Sequence, residues 1–209
     1  MRKIGVLGGT FDPVHFGHLR VGLECKEALS LDELRMVPCA TPSHRNSPFA
    51  SAQQRSEMLA AAINDKDGIF VDDRELKRTG YSYTVDTLES LRLEFPEAAL
   101  YLIVGSDSFQ NILQWHKWQS IVDLANIVIA QRPDHGNDRE SEAGLKLQNR
   151  FCSVEEIKNF PSGKIAFVDV SQLDISATNI RELVRVNRSI KYLLPDSVIE
   201  FIENRKLYK

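Results

Sequence analysis

The sequence predicts an α/β fold, in which helices cover both faces of a doubly wound parallel sheet. Short apolar runs of β type alternate along the chain with longer stretches of helical period, and a parallel sheet with covering helices produces this pattern. A pair of glycines follows directly after the first apolar run, where such a sheet turns into its first helix. The predicted architecture is therefore Rossmann-like, with a small helical part at the C-terminal end.

Six short apolar runs are the candidate strands of this sheet. They are Ile4–Leu7, Leu34–Val37, Ile69–Val71, Leu100–Val104, Ile127–Ala130 and Ile165–Val168. Helices are expected to fill the gaps between them.

Apolar residues at helical spacing predict where these helices lie. The first is Gly17–Leu29, the second follows Ser51, and the third carries an apolar stripe from Val85 to Phe95. Two more helices, Ala177–Val186 and Pro195–Asn204, are expected to close the fold, with the proline in the first turn of the second.

We predict a single domain over residues 1–209, because a chain of this length suits one domain with a modest insertion. Residues 132–164 are polar, lack a helical or strand period and are punctuated by proline and glycine, so they are expected to form a surface excursion. The helical segment 177–209 would complete the domain.

Composition and charge exclude several classes of protein. The chain is 43% apolar and 26% charged, which is close to a globular average and unlike a disordered chain. Its formal net charge of −3 argues against a nucleic-acid partner, since proteins that bind the phosphate backbone show a basic footprint. The sequence leaves the oligomeric state open.

The cysteines and the N-terminal segment bear on the compartment. Cys25, Cys39 and Cys152 are odd in number and far apart, so they predict ordinary buried thiols rather than disulfides or a zinc cluster. The apolar segment Ile4–Leu7 is too short for a signal peptide or a membrane span. A cytoplasmic protein without a membrane partner is expected.

The segment from Gly8 to His18, which we call the glycine–histidine loop, joins the first predicted strand to the first predicted helix. It reads Gly-Gly-Thr-Phe-Asp-Pro-Val-His-Phe-Gly-His. Its glycines allow a ligand close to the backbone, and the helix start offers unpaired N–H groups, so the loop suits a triphosphate. His15 and His18 are three residues apart and would point to the same side, where both can stabilise charge on one phosphoryl group.

Other interpretations of this loop remain. The glycine pair can be a simple tight turn, and two histidines can be ligands of a metal, although no third ligand has a recognisable spacing. A dinucleotide-binding turn needs a third glycine and a P-loop needs a lysine followed by serine or threonine. The sequence has neither.

The loop resembles that of the H-x-G-H nucleotidyltransferases, and within them the bacterial nicotinate-mononucleotide adenylyltransferases. Members of that family also carry an I-S-x-T-x-I-R segment near the C-terminus, and this chain has Ile-Ser-Ala-Thr-Asn-Ile-Arg at 175–181. By its position Ser176 would cap a helix, and Arg181 would hold the leaving pyrophosphate as a fixed cation. The segment Gly105-Ser106-Asp107 follows the fourth predicted strand and resembles the family's G-x-D turn, so Asp107 is a candidate ribose ligand.

Three further segments resemble the family's acceptor site. Trp115 and His116 match a tryptophan that stacks on the pyridine ring and the backbone that follows it, while residues 82–85 match a helix start that faces the nicotinate carboxylate. Residues 42–45 match a P-P-H-[KR] loop over the phosphates, with serine in place of the second proline. Because a helix start favours an anion, the deamido substrate is expected over the amide.

The resemblance implies a nucleotidyltransferase that moves AMP from ATP to nicotinate mononucleotide, in NAD biosynthesis, with Mg²⁺ accompanying the ATP. It implies that the catalytic residues are His15, His18 and Arg181. The implied ATP-binding residues are Gly8, Gly9, Thr10, Phe11, Gly105, Asp107, Ile175, Ser176 and Thr178. The implied acceptor-binding residues are His44, Arg45, Ser82, Tyr83, Thr84, Val85, Trp115 and His116; no protein residue is expected to be a metal ligand.

Three alternatives stay open at this point. A phosphopantetheine adenylyltransferase shares the glycine–histidine loop, but such proteins are generally shorter and lack the tryptophan–histidine and S-Y-T features. A catalytically idle nucleotide-binding module would keep the fold without the chemistry. A dehydrogenase is disfavoured by the missing third glycine.

Overall fold

A computed structural model describes residues 1–42, 47–63, 67–131, 138–171 and 173–209. The strands within these residues form one six-stranded sheet, in the order β3-β2-β1-β4-β5-β6. Their bounds are β1 Lys3–Gly9, β2 Glu33–Pro38, β3 Ile69–Val71, β4 Ala99–Gly105, β5 Asn126–Gln131 and β6 Ile165–Asp169. All six predicted strands are therefore confirmed, most of them longer than predicted.

The central strands pair in parallel. Leu7 of β1 lies opposite Ile103 of β4, and Gly105 of β4 lies opposite Ala130 of β5. Strand β6 extends the same parallel arrangement beside β5. Every residue of β4 before Gly105 is buried, as expected for a central parallel strand with both faces covered.

Helices connect these strands, and the long ones agree with the prediction to within a residue or two. They are α1 Phe16–Leu29, α2 Ala52–Ala62, α3 Thr84–Glu94, α8 Ala177–Arg185 and α9 Asp196–Asn204. Ser51 caps α2 in a capping box with Gln54. Pro195 is the N-cap of α9 rather than a residue of its first turn, because its extended ψ of 145° ends the preceding turn before the helix begins.

Four short helices were not predicted. They are α4 Ser106–Gln110, α5 Trp118–Leu124, α6 Glu142–Lys146 and α7 Val154–Ile157. Helices of one or two turns are too short to show an apolar period in the sequence. Within the predicted surface excursion, α6 and α7 bury Ala143 and Ile157 completely.

The chain divides into two compact units. The first comprises Met1–Leu7, Val21–Arg35 and Tyr83–Ser171, and the second comprises Gly8–Arg20, Met36–Ser82 and Gln172–Lys209. In the first unit, Arg92 of α3 donates hydrogen bonds to the carbonyl oxygens of Ala98 and Leu124 at 2.6 and 2.8 Å. These bonds anchor the end of α3 to the start of β4 and the end of α5.

In the second unit, α9 packs against α2. The Ser197 hydroxyl donates to the carbonyl oxygen of Ala61 at 2.7 Å. This unit contains the whole glycine–histidine loop and the distal segment 175–181.

The three cysteines are free thiols. Cys25 is buried, as predicted, and burial followed by the nearby Glu24 raises its pKa to about 12. Cys39 and Cys152 are only half-buried, so the prediction of buried thiols is wrong for these two.

Candidate active site

The two glycines that begin the glycine–histidine loop have different surroundings. A Cβ atom on Gly9 would lie 2.8 Å from the ring of Phe11, which is buried. A Cβ atom on Gly8 would meet no atom of the described residues within 4 Å. Gly9 is therefore required by packing inside the loop, while Gly8 is exposed and leaves its backbone open to a ligand.

His15 and His18 form a stacked pair at the start of α1. Their ring centroids are 3.7 Å apart with an interplanar angle of 30°. The ring centroids of Phe11 and His18 are 5.1 Å apart, in an edge-to-face arrangement. The backbone N–H of His15 donates to Nδ1 of His18 at 3.3 Å. The sequence-based expectation that both imidazoles lie on one side of the helix start is thus met by direct contact.

Both histidines are neutral at physiological pH. Burial lowers the pKa of His15 from 6.5 to about 4. Burial, and secondly repulsion by a charge on His15, lowers the pKa of His18 to about 3. A neutral imidazole carries one N–H, and because Nδ1 of His18 accepts a hydrogen bond, its proton is on Nε2.

Gly17 makes room for the pair. A Cβ atom at this position would lie 3.0 Å from both Cε1 and Nδ1 of the His15 ring and 3.7 Å from the carbonyl oxygen of Ile175. The glycine between the two histidines is therefore a packing requirement. The distance to Ile175 shows that the backbone of the distal segment lies beside the glycine–histidine loop within the second unit.

His15 has an unsatisfied ring nitrogen. The side chain is 6% exposed, and its Nδ1 has no hydrogen-bond partner among the described residues. Buried polar atoms are nearly always paired. An unpaired nitrogen beside a glycine-rich helix start is expected where a ligand or an ordered water completes the site.

The distal segment begins helix α8. The Ser176 hydroxyl accepts a hydrogen bond from the backbone N–H of Asn179 at 3.1 Å, so the predicted N-cap is confirmed. Ser176 and Thr178 are exposed, and Ile175 is half-buried. The free N–H groups of the first turn are available for an anion.

Arg181 reaches from α8 to the glycine–histidine loop. Its Nη1 donates to the carbonyl oxygen of Asp12 at 2.7 Å, and its Nη2 donates to the Thr178 hydroxyl at 3.1 Å. The guanidinium carbon lies 4.7 Å above the centre of the Phe49 ring. These contacts fix a half-buried cation beside the loop.

A second arginine, Arg55, also stabilises the glycine–histidine loop. Arg55 of α2 is fully buried and donates to the carbonyl oxygens of Thr10, Ala40 and Ala50 at 2.6, 3.2 and 3.2 Å. Burial lowers the pKa of Arg55, although its neighbours partly offset this effect. A planar guanidinium can satisfy three separate carbonyls at once, which a lysine could not do with the same geometry.

The candidate acceptor residues fall in two places. In the first unit, the rings of Tyr83 and His116 lie 4.5 Å apart, and Trp115 is half-buried. Thr84 and Val85 are the first residues of α3, whose N-cap Tyr83 supplies no side-chain acceptor. Ser82 lies in the second unit, where its hydroxyl accepts from the N–H groups of Ala40 and Thr41.

The predicted turn after β4 lies in the first unit. Gly105 ends the strand and caps α4, and Asp107 is an exposed residue in the first turn of that helix. His44 and Arg45 lie outside the described residues.

No ready-made metal site is present among the residues that the structure describes. No group of three or more histidine, cysteine or acidic side chains is close enough to hold an ion there. In the same part of the chain, no helix is both long and apolar enough to cross a bilayer.

Comparisons with known proteins identify the family. Residues 6–183 match the cytidylyltransferase-like family. A protein from Methylococcus capsulatus, described as a "probable nicotinate-nucleotide adenylyltransferase", is 48% identical over 209 residues, which cover 98% of this chain and 99% of that protein. The chain belongs to the nicotinate-nucleotide adenylyltransferase family.

A second relative agrees with this family, and a solved structure agrees with the fold. A protein from Pseudomonas syringae pv. tomato with the same description is 44% identical, over 100% of this chain and 94% of the relative. The solved nicotinic acid mononucleotide adenylyltransferase of Plasmodium falciparum, complexed with NaAD, shares the fold with a TM-score of 0.77. It is 22% identical, and the match covers 100% of this chain and 98% of that one.

The family and the fold that the sequence predicts are thus confirmed, and so is the predicted nucleotidyltransferase activity of NAD biosynthesis. Because the chain belongs to this family, the two alternatives of a phosphopantetheine adenylyltransferase and a dehydrogenase are excluded.

The sequence analysis assigned no role to Asp12 within the loop, nor to Phe49, Arg55 and Tyr208, which form hydrogen bonds with it. For Arg55 the sequence contains one signal, which is its position three residues before Met58 and four before Leu59, in the buried stripe of α2. A charged residue within an apolar stripe marks a buried polar contact. Tyr208 left no such signal.

Proposed function

We propose that this chain transfers the adenylyl group of ATP to nicotinate mononucleotide and so forms nicotinate adenine dinucleotide and pyrophosphate. The observation that carries the proposal is the hydrogen bond of 2.7 Å from Arg181 to the backbone of Asp12. It joins the cation of the distal segment to the glycine–histidine loop, which supports a common role of the two histidines and the arginine on one phosphate chain. The descriptions of the relatives and of the solved Plasmodium protein support the choice of acceptor.

The reaction needs no covalent enzyme intermediate. A phosphate oxygen of the mononucleotide attacks the α-phosphorus of ATP, the bond from that phosphorus to the bridging oxygen of the β-phosphate breaks, and pyrophosphate leaves with the bonding electrons. Positioning and charge stabilisation account for most of the catalysis in such a transfer. His15 and His18 would donate to the α-phosphate oxygens as neutral imidazoles, and Arg181 would stabilise the pyrophosphate.

Backbone groups would hold the rest of the nucleotide. The open backbone at Gly8, together with Gly9, Thr10 and Phe11, would approach the triphosphate, and the first turn of α8 would take its terminal phosphates. The residues in and just before that turn are Ile175, Ser176 and Thr178. The turn of Gly105 and Asp107 would contact the ribose.

The start of α3 would select the acceptor. The N–H groups of Thr84 and Val85 precede the hydrogen-bonded turns of the helix, so they are free to bind the carboxylate of nicotinate. Trp115 would stack on the pyridine ring, beside His116 and Tyr83. His44 and Arg45 would cover the phosphates, and the Ser82 hydroxyl can still donate a hydrogen bond.

Magnesium fits this arrangement as a partner of ATP. The loop carboxylate of Asp12 already accepts three hydrogen bonds, so it is not free to bind an ion. Mg²⁺ would be held mainly by triphosphate oxygens and waters, where it would neutralise phosphate charge.

The single domain over residues 1–209 and the cytoplasmic location stay predictions.

The test is pyrophosphate release by purified protein with ATP and magnesium. Nicotinate mononucleotide, nicotinamide mononucleotide and phosphopantetheine are compared at equal concentration, with a chelator as the control for magnesium. We expect turnover chiefly with nicotinate mononucleotide and none after chelation. Turnover with phosphopantetheine alone, or ATP binding without pyrophosphate release, would overturn the proposal.

A further inference from the structure

The carboxylate of Asp12 is a buried junction in the second unit. The residue is 4% exposed, and its Oδ2 accepts from the backbone N–H of Phe49 at 2.8 Å. Its Oδ1 accepts from the backbone N–H of Ala50 at 3.1 Å and from the hydroxyl of Tyr208 at 2.8 Å. This one side chain therefore joins the loop to two chain segments that are distant from it in sequence, residues 49–50 and Tyr208.

Two contacts of Arg181 with residues outside its own helix involve this junction. One support is the carbonyl oxygen of Asp12 itself, and the other is the ring of Phe49 beneath the guanidinium. The N–H of Phe49 is bound by the Asp12 carboxylate. A displacement of Asp12 would thus move the acceptor and the aromatic face that hold the arginine.

Tyr208 is well placed to prevent such a displacement. It follows α9, which Ser197 ties to α2, and its hydroxyl also lies 3.9 Å from the sulfur of Met58 in α2. Burial, followed by the charge of Asp12, raises the pKa of Tyr208 above its usual range. The hydroxyl therefore stays protonated and donates to the carboxylate.

We propose that Tyr208, the penultimate residue, is a positioning residue for adenylyl transfer, which holds Asp12 and through it Arg181. The inference rests on the proposed role of Arg181. A hydrogen bond to a buried carboxylate is stronger than one between neutral groups, and sub-ångström placement of a charged group matters for catalysis. The segment that follows α9 thereby becomes part of the support of the active site.

The test is a double-mutant cycle of Tyr208→Phe and Arg181→Ala, read as kcat and KM in the pyrophosphate assay with ATP, magnesium and nicotinate mononucleotide. Phenylalanine keeps the ring and removes only the donor. The assay temperature is set below the onset of thermal unfolding of every variant. Tyr192→Phe is the matched control, because Tyr192 lies in the same unit and is 89% exposed.

We expect Tyr208→Phe to lower kcat about tenfold in the chain with Arg181, with KM for both substrates within about twofold. In the Arg181→Ala chain the same change should alter kcat less than about twofold, since residues that act through one another are not additive. Tyr192→Phe should alter neither constant. A purely structural role would lower the melting temperature and leave this coupling absent.

Two results would overturn the inference: no change of kcat in Tyr208→Phe, or an equal fold-change in both backgrounds. A different result bears on the proposed function instead. If Arg181→Ala alone leaves kcat unchanged, the role of Arg181 fails, and with it the reason for the cycle. The two failures are therefore distinguishable within one experiment.

Discussion

The backbone N–H of His15 donates a hydrogen bond to Nδ1 of His18 at 3.3 Å. This bond places the proton of the neutral His18 ring on its other nitrogen, Nε2. The stacked rings, 3.7 Å apart, could not both be protonated without strong repulsion. We therefore propose that the pair acts as two neutral hydrogen-bond donors towards the substrate.

Gly17→Ala should impair catalysis through the His15 ring. The new Cβ atom would lie 3.0 Å from that ring, so the imidazole must move by a few tenths of an ångström. We expect kcat to fall about tenfold or more, since small displacements of catalytic groups are costly. Steady-state kinetics measure the effect.

Gly22→Ala in the same helix is the matched control for this change. Its Cβ atom would lie 2.8 Å from a methyl group of Leu34 rather than beside a histidine. It should alter the free energy of unfolding and leave kcat within about twofold. Equal kcat values for Gly17→Ala and the unsubstituted chain would refute the packing role of Gly17.

The histidine pair should make folding stability depend on pH. The pKa of His15 is about 4 in the folded chain and 6.5 ordinarily, so below pH 6.5 the unfolded chain binds a proton that the folded chain excludes. Its contribution to stability is complete above pH 6.5 and is lost as the pH falls towards about 4. His18 acts in the same direction, with a folded pKa of about 3.

Urea unfolding at about pH 7 and about pH 5 measures this dependence. We expect His15→Gln to lessen the loss of unfolding free energy between these values by on the order of 1 to 2 kcal/mol. His116→Gln, at an exposed position, should not lessen it. Identical pH profiles for His15→Gln and the unsubstituted chain would contradict the buried, neutral state of His15.

Thr84→Pro should weaken binding of the acceptor and spare that of ATP. Proline suits the first position of a helix, and the extended backbone of Tyr83 suits a residue before proline. The change removes the N–H that we assign to the nicotinate carboxylate. We expect KM for nicotinate mononucleotide to rise about tenfold, with KM for ATP within about twofold.

Thr84→Val separates the backbone donor from the side chain. Valine keeps the N–H and removes only the hydroxyl, so its effect on the acceptor KM should be smaller than that of proline. Because proline also lacks the hydroxyl, equal effects of valine and proline on that KM would assign the carboxylate contact to the hydroxyl instead.

The sheet was predictable because its strands are continuous apolar runs bounded by polar or turn residues. The long helices and the Ser176 cap were also predictable, because each depends on a pattern among residues that are close together in the sequence. Helices α4 to α7 were missed because one or two turns carry too little periodicity.

The supports of the site could not be predicted from local patterns. Tyr208 and Asp12 are 196 positions apart, and Arg181 and Asp12 are 169 apart. Such pairs depend on how α8 and α9 pack in three dimensions. The residue types were visible in the sequence, but the partner of each was not.

We propose that the His15–His18 pair stabilises the transition state of adenylyl transfer. The most direct test is the single-turnover rate of His18→Ala, with enzyme in excess over ATP and with nicotinate mononucleotide and magnesium present. Loss of a donor to the developing charge costs roughly 3 kcal/mol or more, so the rate should fall by about two orders of magnitude. His18→Gln, which keeps an N–H donor, should recover part of that loss, and a folded His18→Ala protein with an unchanged single-turnover rate would contradict the claim.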